Sequence, residues 1–393
     1  MTNIVVFAES DIPIFDPELI RDEYCEHRSL DFIALNDNTI QIRNIEEYSQ
    51  RSLDDINVLW IAGYVDLEKH RSFIEPNSLV FFDMAWEGGI DLENRQAMLE
   101  LNKNIQFVMN YSDLVDPLGE FVEPVPNTHY FDYFAASAAR RRIMEESSDT
   151  PVRDRPRKLC YLAGKIKKDA RFLIAYQLYH KKLLDKTVLS LLGTDRDFDV
   201  FRKKYVKHIP THFYTDIKPY IKSHFPLPNF KVDKRSETGS SYTGWPNDRR
   251  LYDLSSVSIV VETSDRFSGA DPGFHTEKLY RTIYNRHPFV LQGCQNMLAH
   301  FKKKGFKTFD SIIDESYDKI SFIRGKKEQG YEFKNSRIIV DRAIDLLNSI
   351  DTNHGKIQSI VDDNYNHMLS RSADEERKLR KFFREFINNS KGR

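Results

Sequence analysis

The chain has 393 residues, of which 40% are hydrophobic and 12% aromatic, an ordinary globular composition that can bury sizeable cores and fits two domains better than one. Lys and Arg number 58 against 59 Asp and Glu, a formal net charge of -1, so no global charge demands a polyanionic partner such as DNA. No run of about 18 apolar residues occurs and no cationic leader precedes the first apolar run, which excludes a membrane span and predicts a cytoplasmic protein. Cys25, Cys160 and Cys294 are too far apart for a metal motif or a disulfide framework and read as inert thiols of a reducing compartment.

In chain order, Ile4 to Ala8, Val58 to Ala62, Leu79 to Phe82 and Gln106 to Met109 are short β-branched or aromatic runs that predict strands. Asp91 to Asn102 has helical spacing, so residues 1–150 read as an open, Rossmann-like α/β sheet. The glycine-rich dinucleotide fingerprint is missing after the first strand, which argues against a nicotinamide or flavin cofactor, and no cofactor is expected. VFFDMAWEGG, Val80 to Gly89, is a strand running into an acidic, aromatic and glycine-containing loop. Glu87 is placed there to act as a general base, with Asp83 to orient it or to bind hydroxyls, and Trp86 to stack on a sugar ring. Helix capping near Asp91 is the plainer use of both carboxylates.

Charged residues with Pro151 and Pro156 make Arg140 to Lys158 the expected interdomain linker. A second α/β domain is predicted to start with the strand Leu159 to Ala163, the basic loop GKIKKDAR, a helix over Phe172 to Lys182 and a strand at Val188 to Leu192. Lys165, Lys167, Lys168 and Arg171 lie just after a strand and at a helix start, where phosphate oxygens are well served, although a solvated basic loop has the same composition. Asp195-Arg196-Asp197 has the spacing of a metal-binding acidic pair but reads as an exposed turn, so no metal is expected. Phe198 to Asp248 lacks clear periodicity and reads as an irregular insert.

Ser258 to Gly293 is the most ordered stretch. A strand at Ser258 to Val261 ends in Glu262 and Ser264, and a polar loop follows. Thr276 then caps a helix with Leu279, Ile283 and Tyr284 on one face, and His287 to Gln292 returns as a strand. This βαβ unit points free N–H groups and the positive end of a helix at an anion, with Lys278 and Arg281 beside it and Glu277 placed for ribose hydroxyls. Glu262 and Ser264 equally suit a turn that closes the loop, and His275 equally suits packing or a phosphate contact. Helices are expected at Ser336 to Ser349, Gly355 to Ser370 and Ala373 to Asn388.

Glu262, Thr276, Glu277, Lys278 and Pro288 resemble the pattern of the C-terminal domain of fucosyltransferases and related exostosin-like glycosyltransferases. Gly293 to Ile320 and the sequence from Arg171 to Leu183–Lys186 (LLDK) are similar to segments of phage and bacterial members. The resemblance covers mainly residues 158–325. It implies the GT-B fold, two Rossmann-like α/β domains facing a cleft. The acceptor would lie in residues 1–150, the nucleotide-sugar donor in residues 151–370, and a C-terminal helix, 371–393, would cross back to the first domain. The implied reaction is inverting, metal-independent transfer of a sugar, GDP-linked and fucose-like favoured, to a glycan or other hydroxyl acceptor, in a bacterial or viral protein. Lys165, Arg171 and Lys278 would hold the diphosphate, and Glu262 would neighbour the donor. Two alternatives stay open. A phage enzyme that glycosylates hydroxymethylated DNA bases would use the basic runs Arg140 to Arg142, Phe201 to His208 and Lys302 to Lys304. A catalytically inactive sugar- or nucleotide-binding protein would keep the fold alone.

Overall fold

A computed structural model describes residues 4–8, 40–52, 54–62, 74–75, 78–83, 92–109, 127–132, 147–165, 169–192, 195–205, 207–218, 221–222, 249–262, 275–293, 295–319 and 331–390. The chain divides into two compact units, one formed by Met1–Asp116, Glu120–Met144 and Leu369–Arg393, the other by Pro117–Gly119 and Glu145–Met368.

The first unit holds a six-stranded parallel sheet of β1 (Ile4–Ala8), β2 (Ile40–Asn44), β3 (Ile56–Ala62), β4 (Leu79–Asp83), β5 (Ile105–Met109) and β6 (Thr128–Tyr130), in the order β2-β1-β3-β4-β5-β6. Its central strands β1, β3, β4 and β5 are largely apolar on both faces, as a sheet covered on both sides requires. Because successive side chains alternate, Val5, Phe7, Leu59, Ile61, Phe82 and Phe107 share one core with Met98 of α1 (Leu92–Leu101). Val6, Val58, Trp60, Phe81 and Val108 share the other with Leu379, Phe383 and Ile387. Those last three recur every fourth residue of the C-terminal helix, Ile350–Ser390, and present one stripe to the sheet.

That helix corrects one expectation. Its 41 residues run without a break at Arg371 and Ser372, and its one non-helical residue is Asn353, where two helices were predicted. Ser372 is buried, so the polar residues that look like a break in the sequence face the protein. Strands β2 and β6 were not foreseen, since IQIRN is half polar and THY is only three residues long.

In the second unit β7 (Leu159–Lys165), β8 (Thr187–Leu192), β9 (Ile221–Lys222), β10 (Val257–Val261) and β11 (Phe289–Gln292) form a parallel sheet ordered β11-β10-β7-β8-β9. Counted within the unit this is the doubly wound order 3-2-1-4-5. The direction of winding reverses between β7 and β10, and the carboxyl ends of those two strands frame the crevice where such sheets take ligands.

Of the stretch Phe198 to Asp248, residues 206, 219–220 and 223–248 lie outside the described residues, and residues 198–205 and 207–218 are not irregular. They form α3 (Asp195–Tyr205) and α4 (Thr211–Ile217), whose Phe198, Phe201, Phe213 and Tyr214 pack on Phe172 of α2 (Asp169–His180). The spacing of Phe198, Phe201 and Tyr205 is helical, and Pro210 ends that period before α4 opens a new one. Asp195 begins α3 rather than an exposed turn. The expected linker is also folded from residue 147 onward. Ser148 N–H donates to Asn285 Oδ1 at 3.2 Å, Val152 N–H to Gln358 Oε1 at 2.9 Å, and Arg155 is buried with its guanidinium on the Ser148 hydroxyl and the Asn285 carbonyl.

Phe383 packs on Trp60 and Phe81 with ring centroids 6.1 and 5.3 Å away and is fully buried. Phe383→Ala should cost about 3–5 kcal/mol in denaturant unfolding, whereas Lys381→Ala, on the exposed side of the same helix, should stay within about 0.5 kcal/mol.

Candidate functional site

The winding reversal brings together the end of β10 and the start of α6 (Glu277–Tyr284). Glu262 is the first residue after β10 and is 2% exposed. Its Oε1 accepts the Thr276 backbone N–H at 2.9 Å and its Oε2 accepts the Thr276 hydroxyl. Thr276 is the N-cap of α6, with extended backbone, and its oxygen accepts the Lys278 N–H at 3.4 Å. The Lys278 ammonium reaches the same hydroxyl at 3.2 Å and Glu277 Oε1 at 2.7 Å. Strand end, helix cap, cation and second carboxylate are thus one connected cluster at the ligand edge of the sheet. Beneath it a small cavity is lined by Leu162 of β7, Val260 of β10, Leu251 and Tyr252 of α5 (Arg249–Asp253), and Lys278 and Arg281.

The two carboxylates differ in electrostatics. Burial pushes the Glu262 carboxyl above the ordinary carboxylate range, against the opposing pull of Lys278 and the Thr276 hydrogen bonds. Burial acts on Glu277 in the same sense, but Lys278 and Arg281 outweigh it and hold that carboxyl well below its usual range. Glu277 therefore stays ionised and acts purely as an acceptor, which suits hydroxyl groups.

Other predicted residues are placed as follows. Lys165 closes β7, and Arg171 lies in the first turn of α2 just beyond, buried, with its carbonyl accepting the Tyr161 hydroxyl at 2.8 Å. His275 is fully buried, its Nε2–H donating to the Met297 carbonyl at 3.2 Å and its ring lying 5.4 Å from that of Phe301. Asp83, at the end of β4, is also fully buried and accepts the Trp60 indole N–H at 3.3 Å. Glu87, Trp86 and Ser264 lie outside the described residues.

The segment that carries much of the family resemblance is scaffolding. Asp318 accepts the N–H groups of Leu298 and Ala299 at 2.8 and 3.0 Å and so caps α7 (Met297–Lys303), while Glu315 accepts the Thr308 hydroxyl and the Phe309 N–H at 2.7 and 2.8 Å. The basic runs are partly neutralised. Lys302 pairs with Asp310 at 2.7 Å, Lys204 with Asp169, and Arg202 with Asp199 at 3.3 Å. A buried Ser258–His287 pair, 2.8 Å apart, superficially looks catalytic. It faces the amino end of the sheet, and burial, aided by Arg155, lowers the imidazole to about 3, which fits a neutral structural ring. Among the described residues no three His, Cys, Asp or Glu are grouped to hold a metal, and no helix is long and apolar enough to cross a membrane.

No protein-family model matches the chain, and no curated protein matches it in sequence. Among solved structures it is similar to an α1,3-fucosyltransferase, with 10% identity over 98% of this chain and 90% of that one at a TM-score of 0.45. A complex of α1,3-fucosyltransferase with GDP-fucose matches at 8% identity, 98% and 90% coverage and a TM-score of 0.44. An α,α-trehalose 6-phosphate synthase from Burkholderia multivorans matches at 9% identity, 100% and 99% coverage and a TM-score of 0.45. These likenesses concern the fold, and the functional assignment below rests on the site itself.

Thr276→Ala removes a helix cap, worth about 1 kcal/mol, and also strips a buried carboxylate of one donor, so a loss of about 2–3 kcal/mol is expected, largely restored by Thr276→Ser. The depressed Glu277 carboxyl contributes stability that is fully present above its ordinary value of 4.5 and is lost as pH falls toward its folded value. The difference in melting temperature between the wild type and Glu277→Gln should therefore shrink from pH 7 to pH 4. A constant difference would show that the ionised Glu277 does not stabilise the fold.

Proposed function

We propose that the protein is a nucleotide-sugar-dependent glycosyltransferase of the two-domain GT-B kind, with the donor held by the second unit. One observation carries this reading. Lys278, in the first turn of a capped helix with buried Arg281 one turn behind it, stands at the carboxyl edge where the winding of the second sheet reverses, a place that suits an anionic ligand. Glycosyl transfer from a nucleoside diphosphate leaves negative charge on the departing phosphate oxygen. Fixed cations and oriented N–H groups stabilise that charge without reorganising during the step. Lys165, Arg171 and Lys278 take this role, and Glu277, ionised and accepting, takes the ribose hydroxyls. His275 and Ser264 are assigned to the same donor.

In the first unit the acceptor hydroxyl attacks the anomeric carbon while Glu87 removes its proton, and the diphosphate leaves from the opposite face with inversion. Asp83 supports that edge from within the core, where it is buried beneath Trp60. A GDP-linked sugar is the favoured donor and a glycan or other hydroxyl compound the acceptor. A DNA acceptor is less favoured, because Lys302, Lys204 and Arg202 are already engaged by carboxylates.

The ammonium of Lys278 is engaged by Glu277 at 2.7 Å, so an incoming diphosphate competes with that carboxylate. A thermal-shift series with GDP, UDP, CMP and ADP, with and without EDTA, tests the reading. One nucleoside diphosphate should raise the melting temperature with EDTA present, and Lys278→Gln should clearly reduce the rise at the same nucleotide concentration. No shift with any nucleotide would remove the transferase reading. A shift that requires divalent metal would remove its metal-free form.

A further inference from the structure

The position of Glu262 at the end of β10 invites the reading that it contacts the ligand, yet both of its oxygens are already used inside the protein. We propose that Glu262 is a positioning residue: through the Thr276 hydroxyl it fixes where the Lys278 ammonium stands, and it does not itself touch the ligand. The inference rests on the reading of the α6 start as a diphosphate site.

Glu262 is 2% exposed, and its Oε1 and Oε2 accept the N–H and the hydroxyl of the same residue, Thr276, 14 positions along the chain. A hydroxyl has one proton to donate and two lone pairs to accept with. The Thr276 hydroxyl donates to Glu262 Oε2, so its proton points to Glu262 and its lone pairs point away. Those lone pairs meet the Lys278 backbone N–H at 3.4 Å and its ammonium at 3.2 Å. Lysine has a flexible four-carbon stem and little intrinsic preference for one position. Here the tethers on the ammonium include Thr276 Oγ and Glu277 Oε1, the latter at 2.7 Å. The Glu277 tether is the one an anionic ligand displaces, whereas the Thr276 tether depends on a residue shut away from solvent. Glu262 therefore sets the direction of one hydroxyl proton, and that direction decides whether the Thr276 oxygen can hold the cation.

The charged groups coupled to Glu262 are Lys278, which favours its ionised form, and Glu277, which disfavours it. Burial raises the carboxyl above the usual range and Lys278 pulls it back, so the cation favours the ionised carboxylate, and the carboxylate, through Thr276, favours the position of the cation.

Glu262→Gln is close to isosteric and tests the relay. The amide nitrogen is a donor where a carboxylate oxygen was an acceptor, so the Thr276 proton must turn toward Lys278 and the tether is lost. Titration of the full chain with GDP and with inorganic pyrophosphate should show about tenfold weaker binding in Glu262→Gln, the size expected for one charge-assisted hydrogen bond. The same loss should appear in Lys278→Gln. In the double variant the two losses should not add, because they remove one effect. Thr276→Ser should bind like the wild type and Thr276→Val like Glu262→Gln, which gives the same test from the other end of the relay if Glu262→Gln does not fold. If the wild type binds GDP, Lys278→Gln weakens it and Glu262→Gln does not, the positioning role is overturned while the diphosphate reading stands. Fully additive losses would also overturn it, since they would place Glu262 on the ligand independently of Lys278. If the wild type binds neither GDP nor pyrophosphate, the diphosphate reading fails and this inference fails with it.

Discussion

A carboxylate buried at the end of a strand needs donors, and Glu262 finds two in a single residue. The paired bonds to the N–H and hydroxyl of Thr276 close the loop between β10 and α6 and set the first turn of that helix. Everything attributed to the site follows from that tie. It aims the free end of α6 at the carboxyl edge of the sheet, it places the Lys278 ammonium, and through Lys278 it reaches Glu277. The arrangement is costly in isolation, because burial raises the Glu262 carboxyl, and the neighbouring cation offsets that cost. Strained or desolvated groups of this kind concentrate where a protein handles charged ligands.

The sheet around this cluster explains its location. Parallel strands bury both faces, so the edge at their carboxyl ends is where polar chemistry can gather. In the second unit β7 and β10 are neighbours whose connections run in opposite directions, which opens that edge between them. The first unit has the other common doubly wound order, β2-β1-β3-β4-β5-β6, with its own reversal between β1 and β3. There Asp83, at the end of β4, is buried and accepts the Trp60 indole N–H.

Much of this was legible in the sequence. Long apolar runs such as IVVFA, LVFFD and VSIVV are strands because nothing else buries both sides of such a run, and the Thr276 cap with its helix and return strand could be read in order. The errors have physical causes. β2 and β6 are short or half polar, so pairing with a neighbour rather than pattern makes them strands. The aromatic residues of α3 and α4 looked irregular because two short helices with separate periods meet at Pro210. Arg155 looked like linker charge, yet its bonds to Thr150, Ser148 and Asn285 tie it into the core of the second unit. Among site residues, Glu262 and Thr276 were each singled out, but a contact across 14 positions leaves no local signal, so their bond was visible only in the fold.

The most direct test is a crystal structure of the protein grown with GDP. The account predicts the diphosphate at the start of α6, its oxygens within hydrogen-bond reach of the Lys278 ammonium, Glu277 released from Lys278 toward the ribose, and Glu262 still bound to Thr276. A nucleotide bound elsewhere, with the Lys278–Glu277 pair intact, would contradict it.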